Sequence, residues 1–283
     1  MDRPSLAQEI LRIVEEGHYL RANGEQVDVA SLVNAAREGT HLYRPEELQG
    51  ILERPASAGG SGPRVEVTPE STFEAARRLV LQEGLLDVVA LNFASAVNPG
   101  GGWLGGALAQ EEDLAISSSL VACQWKALGF YEANRACPSV LYTDHLIYSP
   151  RVPFFRGKDG ELLSRPVPVS IITAPAPHAG EHLRRHPDDS EGLRLAIERR
   201  SGLILSVARD RGHRTLVLGA WGCGAFKNDP LTVAAAFRRW ISDARFSGAF
   251  DRIVFAILDS SGTRRTIGSF EKIFSSSNQP DRK

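Results

Sequence analysis

Seven residues separate the triple glycine Gly100-Gly101-Gly102 from Gln110, which is followed at once by two adjacent carboxylates, Glu111 and Glu112. Glycines admit positive φ and let successive backbone amides converge on an anion with no Cβ in the way. The run enters a helix start, whose free amides and dipole favour negative charge. Anion binding and acid chemistry are thereby placed within one helical turn of each other. A second glycine-rich loop, Trp221-Gly222-Cys223-Gly224-Ala225-Phe226, follows the apolar run 215–219 and also leads into a helix. Each loop by itself could be no more than a tight turn. Together they are expected to grip a diphosphate from opposite sides.

The elements that must position these groups alternate along the chain. A helix over 71–83 leads to a strand over 88–93, then the first glycine loop and a helix over about 110–128. Short strand-like runs lie near Val140, Leu146 and Val152, followed by a β run over 167–173. A long helix over 188–211 carries Leu193, Ile197, Ile204 and Val207 at helical spacing. A strand over 215–219 then precedes the second loop and a helix with Val233, Phe237, Trp240 and Ile241 on one face. A strand over 252–258 and a helix over 264–274 follow. Such alternation implies an α/β sandwich with a largely parallel central sheet. In sheets of this kind ligands sit beyond the carboxyl ends of the strands, where both glycine loops fall. Ahead of this pattern, Leu6, Ile10, Ile13 and Val14 mark one helix face, and short polar segments come next. The Gly/Ser-rich stretch over 56–63 can neither hold a helix nor pack a core. The expected division is therefore an N-terminal helical extension and linker, 1–63, packed on a catalytic domain, 64–283.

Composition narrows the function. A formal net charge of −1 in 283 residues argues against general nucleic-acid binding. There is no apolar run of about 18 residues to span a membrane, and the N-terminus lacks the features of a secretory signal. Cys123, Cys137 and Cys223 have no CxxC spacing, so neither a disulfide framework nor a thiolate zinc site is indicated. A reducing cytoplasm is the expectation. Residues 100–105 satisfy GxGxxG, but six residues separate the strand from the first glycine, and the acidic ribose ligand of a dinucleotide fold has no counterpart near Trp125 and Lys126. No nicotinamide cofactor is expected. His178-Ala179-Gly180-Glu181-His182 matches the H-x-x-E-H zinc pattern. Pro175, Pro177 and Gly180 argue against a helix there, and without one the two histidines share no face. A solvent-exposed loop and no metal are expected.

The spacing GGG, seven residues, QEE resembles the signature of the poly(ADP-ribose) glycohydrolases, and the flanking text is similar to their bacterial branch. The resemblance includes residues 91–95, Asn98-Pro99-Gly100, the run 172–177 and the run 219–230, and it extends over nearly the whole chain. It implies a macrodomain-like three-layer α/β/α sandwich with a mixed, largely parallel central sheet and an N-terminal helical extension. It further implies hydrolysis of the ribose–ribose O-glycosidic bonds of poly(ADP-ribose), without a cofactor, with ADP-ribosylated proteins as the carriers of the polymer. Where the family usually has Asn after Pro-Ala-Pro, this chain has His178, a rim position not expected to touch the chemistry.

Glycoside cleavage usually employs two carboxylates about 5 to 9 Å apart across the bond. Adjacent residues on a helix point about 100° apart and cannot flank a bond in that way. By the resemblance, Glu112 is the general acid and then the base, and Glu111 holds ribose hydroxyls; the substrate's own diphosphate would stabilise charge at C1″. Read alone, the pair would be ordinary charge complementarity at a helix start. The resemblance places Asn98, Gly100, Gly101, Gly102 and Gln110 in the binding site, with Gly222, Cys223, Gly224, Ala225 and Phe226 from the second loop. Phe226 is expected to pack on the distal ribose, or else in the core. Asn98 either orders its loop or touches the scissile ribose. Leu258 or Ile257 could pack on adenine or fill the strand core. Arg264, Arg265 and Thr266 could meet further units of the polymer or form a solvated helix start. A macrodomain that binds ADP-ribose without cleaving it, and a mono(ADP-ribosyl) hydrolase, are the alternative functions.

Overall fold

The computed structural model describes residues 2–55, 60–157, 160–259 and 262–275. The chain runs through α1 (Arg3–Glu16), β1 (His18–Leu20), β2 (Gln26–Asp28), α2 (Ala30–Glu38), β3 (His41–Tyr43), α3 (Pro45–Leu52), β4 (Arg64–Thr68), α4 (Thr72–Leu81) and β5 (Val88–Ala94). It continues with α5 (Gln110–Ala115), α6 (Leu120–Lys126), α7 (Gly129–Ala136), β6 (Leu146–Arg156), β7 (Leu162–Pro175), α8 (Ala179–Arg185), α9 (Ser190–Asp210), β8 (Thr215–Leu218), α10 (Pro230–Ile241), β9 (Arg252–Ala256) and α11 (Arg265–Ser275). The fold is mixed α/β, with sheet strands flanked by helices and a helical segment at the N-terminus.

Two compact units make up the chain. The first holds residues 1–44, 76–137 and 145–175, with strands in the order β3-β6-β7-β5. β5 runs parallel to β7, Val89 opposite Ser170 and Ala94 opposite Pro175, whereas β6 is antiparallel to both β7 and β3. Val88, Val89, Ala90 and Leu91 are all buried, the unbroken apolar reading of a strand covered on both faces. α1 is capped by Asp2, which accepts from the Ser5 amide at 2.9 Å, and it ends at Gly17 with φ 74°. Its buried stripe of Ala7, Ile10 and Ile13 packs on Trp103, Ile116, Val121 and Phe155, residues on either side of the carboxylate pair.

The second unit holds the described residues within 45–75, 138–144 and 176–275. Its strands β8, β9 and β4 are all parallel. Phe255 of β9 meets Phe237 of α10 and both Phe270 and Phe274 of α11. Residues 56–59 of the Gly/Ser-rich stretch lie outside the described residues. β4 follows directly, its register with β9 running from Arg64 opposite Arg252 to Thr68 opposite Ala256.

Local departures from the sequence reading have physical causes. The single helix over 110–128 is two, because three successive serines leave the helical ladder. Ser118 Oγ donates to Leu114 O at 2.7 Å, and Ser118 pairs with Phe154 as a strand bridge. The runs near Leu146 and Val152 are one strand, carried past Pro150 and Pro153 by an irregularity between Ser149 and Val152 where Arg151 takes φ 45°. Val140 lies in a turn. Residues 179–185 form the helix α8 that the prolines argued against. Pro175 ends β7 and Pro177 precedes the N-cap His178, so neither proline is asked for a helical amide.

Candidate active site

The first glycine loop leaves the carboxyl end of β5. Ser95 Oγ accepts from the amides of Val97 and Asn98 at 3.2 and 3.1 Å, turning the chain sharply. Gly100 and Gly101 take φ 72° and 63°. A Cβ on Gly100 would stand 2.7 Å from the Trp103 ring, and one on Gly101 would overlap Glu112 Oε1 and lie 3.1 Å from Glu111 Oε2. Both carboxylates therefore face the bare Cα of Gly101, although their side chains leave a helix in different directions. Two of the loop's amides are engaged within the protein: Gly101 N donates to Asn98 O at 3.0 Å, and Gly102 N to Glu112 Oε1 at 2.8 Å. Those two amides, expected at phosphate, donate within the protein here, that of Gly102 to the Glu112 carboxyl. Asn98 orders the loop through its main chain and its side chain is exposed.

Gln110 fastens the helix start to β5. Its Oε1 accepts from Phe93 N at 2.8 Å and its Nε2 donates to Leu91 O at 2.7 Å, as a neighbouring strand would. Glu111, 3% exposed, accepts from Ser95 N at 2.6 Å, Asn92 Nδ2 at 3.0 Å and Gln124 Nε2 at 2.9 Å. Burial pushes its carboxyl up to about 7 in spite of these three donors, with the Glu112 charge acting in the same direction. Glu112 is also buried, at 8% exposure.

The second glycine loop, in the other unit, is built differently. Gly222 takes φ 73°, and a Cβ there would overlap Asn228 Nδ2 and stand 2.5 Å from the Ala176 Cβ. Asn228, buried, closes the loop by donating its amide to Gly222 O at 3.1 Å and its side chain to Pro177 O at 2.9 Å. No described residue accepts from the amides of Gly224, Ala225 or Phe226. This loop has the free donors of an anion cradle. Burial pushes the Cys223 thiol up to about 12, so it is no thiolate. Phe226 is half-buried, stacked on His178.

Of the two residues considered for adenine, Ile257 is core at 3% exposure and only Leu258 presents its side chain, at 64%. Thr266 lies in a capped helix start: Asp259 Oδ2 accepts from its amide at 2.9 Å and from that of Ile267 at 3.2 Å. Arg264 pairs with Glu271 at 3.0 Å. The H-x-x-E-H run is no exposed loop. His182 is buried with Nε2 at 3.0 Å from Asp189, His178 Nδ1 accepts from Glu181 N at 3.2 Å, and Arg184 and Arg185 hold the Glu181 carboxyl down at about 2. Among the described residues, no group of three or more His, Cys, Asp or Glu is placed to hold a metal ion, and no helix is long and apolar enough to cross a membrane.

Sequence reasoning missed the side chains that hold Glu111. Asn92 interrupts an apolar buried run and Gln124 closes one, each a polar residue where only a partnered one is tolerated, and that was the available signal. Tyr142, whose ring lies 6.2 Å from that of Phe226, had no local signal at all.

Residues 7–157 match the family model described as "Microbial-type PARG, catalytic domain". No curated protein matches the chain. The crystal structure of poly(ADP-ribose) glycohydrolase from Thermomonospora curvata is 43% identical, with a TM-score of 0.90, covering 96% of this chain and 99% of that one. The same enzyme bound to the inhibitor ADP-HPD superposes with a TM-score of 0.87 at 43% identity over 96% and 99% of the two chains. The enzyme from Deinococcus radiodurans in complex with ADP-ribose is 45% identical, with a TM-score of 0.80 over 87% of this chain and 98% of that one. Fold, glycine-carboxylate geometry and these likenesses agree, and the chain belongs to the microbial-type poly(ADP-ribose) glycohydrolase family.

Proposed function

We propose that this protein hydrolyses the ribose–ribose O-glycosidic bonds of poly(ADP-ribose), releasing ADP-ribose. The observation that carries the reading is the setting of Glu112: a buried carboxylate, oriented by the Gly102 amide at 2.8 Å, against a glycine that leaves its oxygens approachable. Its proton passes to the 2′-oxygen of the departing ribose as the C1″–O bond breaks and the bonding pair leaves with that oxygen. Glu112 then takes a proton from the water that adds to the oxocarbenium-like C1″. One carboxylate serves both steps. Glu111, gripped by Asn92, Ser95 and Gln124, turns Oε2 toward Gly101 and orders ribose hydroxyls there. The free amides of Gly224, Ala225 and Phe226 are assigned to phosphate, and Phe226 to ribose. A related enzyme was crystallised with ADP-ribose, in keeping with these assignments. Proteins carrying the polymer are the macromolecular partners, and all three cysteines are free, as suits a reducing cytoplasm.

Glu112→Gln keeps the bond from Gly102 and removes the transferable proton. Release of ADP-ribose from the polymer is expected to fall by about 10²- to 10⁴-fold, with ADP-ribose affinity near wild type by calorimetry. Wild-type turnover in Glu112→Gln beside an inactive Glu111→Gln exchanges the two roles. A wild-type protein that binds ADP-ribose and cleaves nothing is a reader of the modification.

A further inference from the structure

Phe226 ends the second glycine loop with its ring half-exposed. A ring at such a place has no local reason to keep one rotamer. Here His178 lies nearly parallel to it, with centroids 4.6 Å apart and planes at 20°. Tyr142 approaches at 6.2 Å and 42°, and the Gly180 amide donates to Phe226 O at 3.0 Å. The two flanking rings are themselves held. His178 accepts from Glu181 N on Nδ1 as the N-cap of α8, and its own amide donates to Val140 O at 2.9 Å. Tyr142 sits at φ 60°, a conformation costly to a bulky residue. Its turn is held by Arg200, 2% exposed, which donates to Leu141 O at 3.0 Å and Tyr142 O at 3.3 Å while pairing with Asp144 at 3.1 Å. A buried guanidinium thus fixes a strained turn beside the ring, and a helix cap fixes the imidazole over it.

We propose that His178 is a positioning residue for ligand recognition: its imidazole presets the Phe226 ring, so that closing this ring on the ribose of ADP-ribose requires no further ordering. The proposal rests on the assignment of Phe226 to ribose. Immobilising one free side chain at an interface weakens binding by about two- to tenfold, which is the gain that presetting provides.

Stack and cap can be separated by substitution. Asn is a good N-cap but cannot stack, whereas Phe can stack but cannot cap. ADP-ribose affinity by calorimetry and Tm are measured for wild type, His178→Asn, His178→Phe, Phe226→Ala and the His178→Asn/Phe226→Ala double variant. His178→Asn is expected to raise Kd by about three- to tenfold at near wild-type Tm. His178→Phe is expected to keep Kd within about twofold at a lower Tm. The double variant is expected to bind no more weakly than Phe226→Ala, because the imidazole acts only through that ring. Wild-type affinity in His178→Asn beside a weakened Phe226→Ala overturns the proposal and leaves the ribose assignment standing. Wild-type affinity in Phe226→Ala overturns both.

Discussion

Glu111 and Glu112 are neighbours in sequence and are held in opposite ways. Three donors from Asn92, Ser95 and Gln124 surround Glu111, yet burial still dominates and brings its titration up to about 7 from an ordinary 4.5. The native state therefore keeps a proton that the unfolded chain releases between those values. This contribution to stability, about 3 kcal/mol, is fully present below pH 4.5 and is lost as pH rises through about 7. Urea unfolding at pH 5 and pH 8 is expected to show a larger loss in wild type than in Glu111→Gln, which has no carboxyl to titrate. Equal losses in the two proteins would show that the three donors compensate burial fully.

The two glycine loops look alike in sequence and are different elements. In the first, Gly101 is bare so that two carboxylates can face it. Gly101→Ala meets both a positive φ of 63° and the Glu112 carboxylate, so the carboxylate must move. Displacement of a catalytic group by about 1 Å costs about 100-fold in rate, and turnover of the polymer should fall by at least that much. Gly105→Ala, with nothing within 4 Å of the added carbon, is the control and should remain near wild type. In the second loop Gly224 has the same open surroundings, so Gly224→Val is expected to fold and to set its branches over the free amides. ADP-ribose affinity should fall by about tenfold or more if those amides meet phosphate, two lost hydrogen bonds being enough at about 1 kcal/mol each. Unchanged affinity in the folded variant removes this loop from the site.

Across the first unit, the N-terminal helix supports the chemistry at a distance. Arg3 donates to Ala107 O at 3.1 Å and pairs with Asp113 at 2.8 Å, while Ile10 lies in the cluster that buries Trp103, the ring on which Gly100 rests. Ile10→Ala is expected to cost about 2–5 kcal/mol in urea unfolding and to lower turnover through the loop; a loss of stability with full turnover would make α1 a scaffold only. Periodicity read off the chain placed most helices and strands, because each is set by burial of one face over a short window. The glycine triplet, the carboxylate pair and the second loop were legible for the same reason: their chemistry is written in adjacent residues. Other features depended on partners far apart in sequence. Residues 92, 95 and 124 converge on Glu111, and the Glu112 carboxylate takes up an amide that had looked available to phosphate. His178, which had looked like an idle rim position, lies flat on Phe226. Sequence by itself singled out the groups whose chemistry suits the reaction, the carboxylate pair and the two glycine loops. Only the tertiary structure decided which of them are free to meet a ligand, because hydrogen-bond donors and ring faces are allotted by the path of the whole chain.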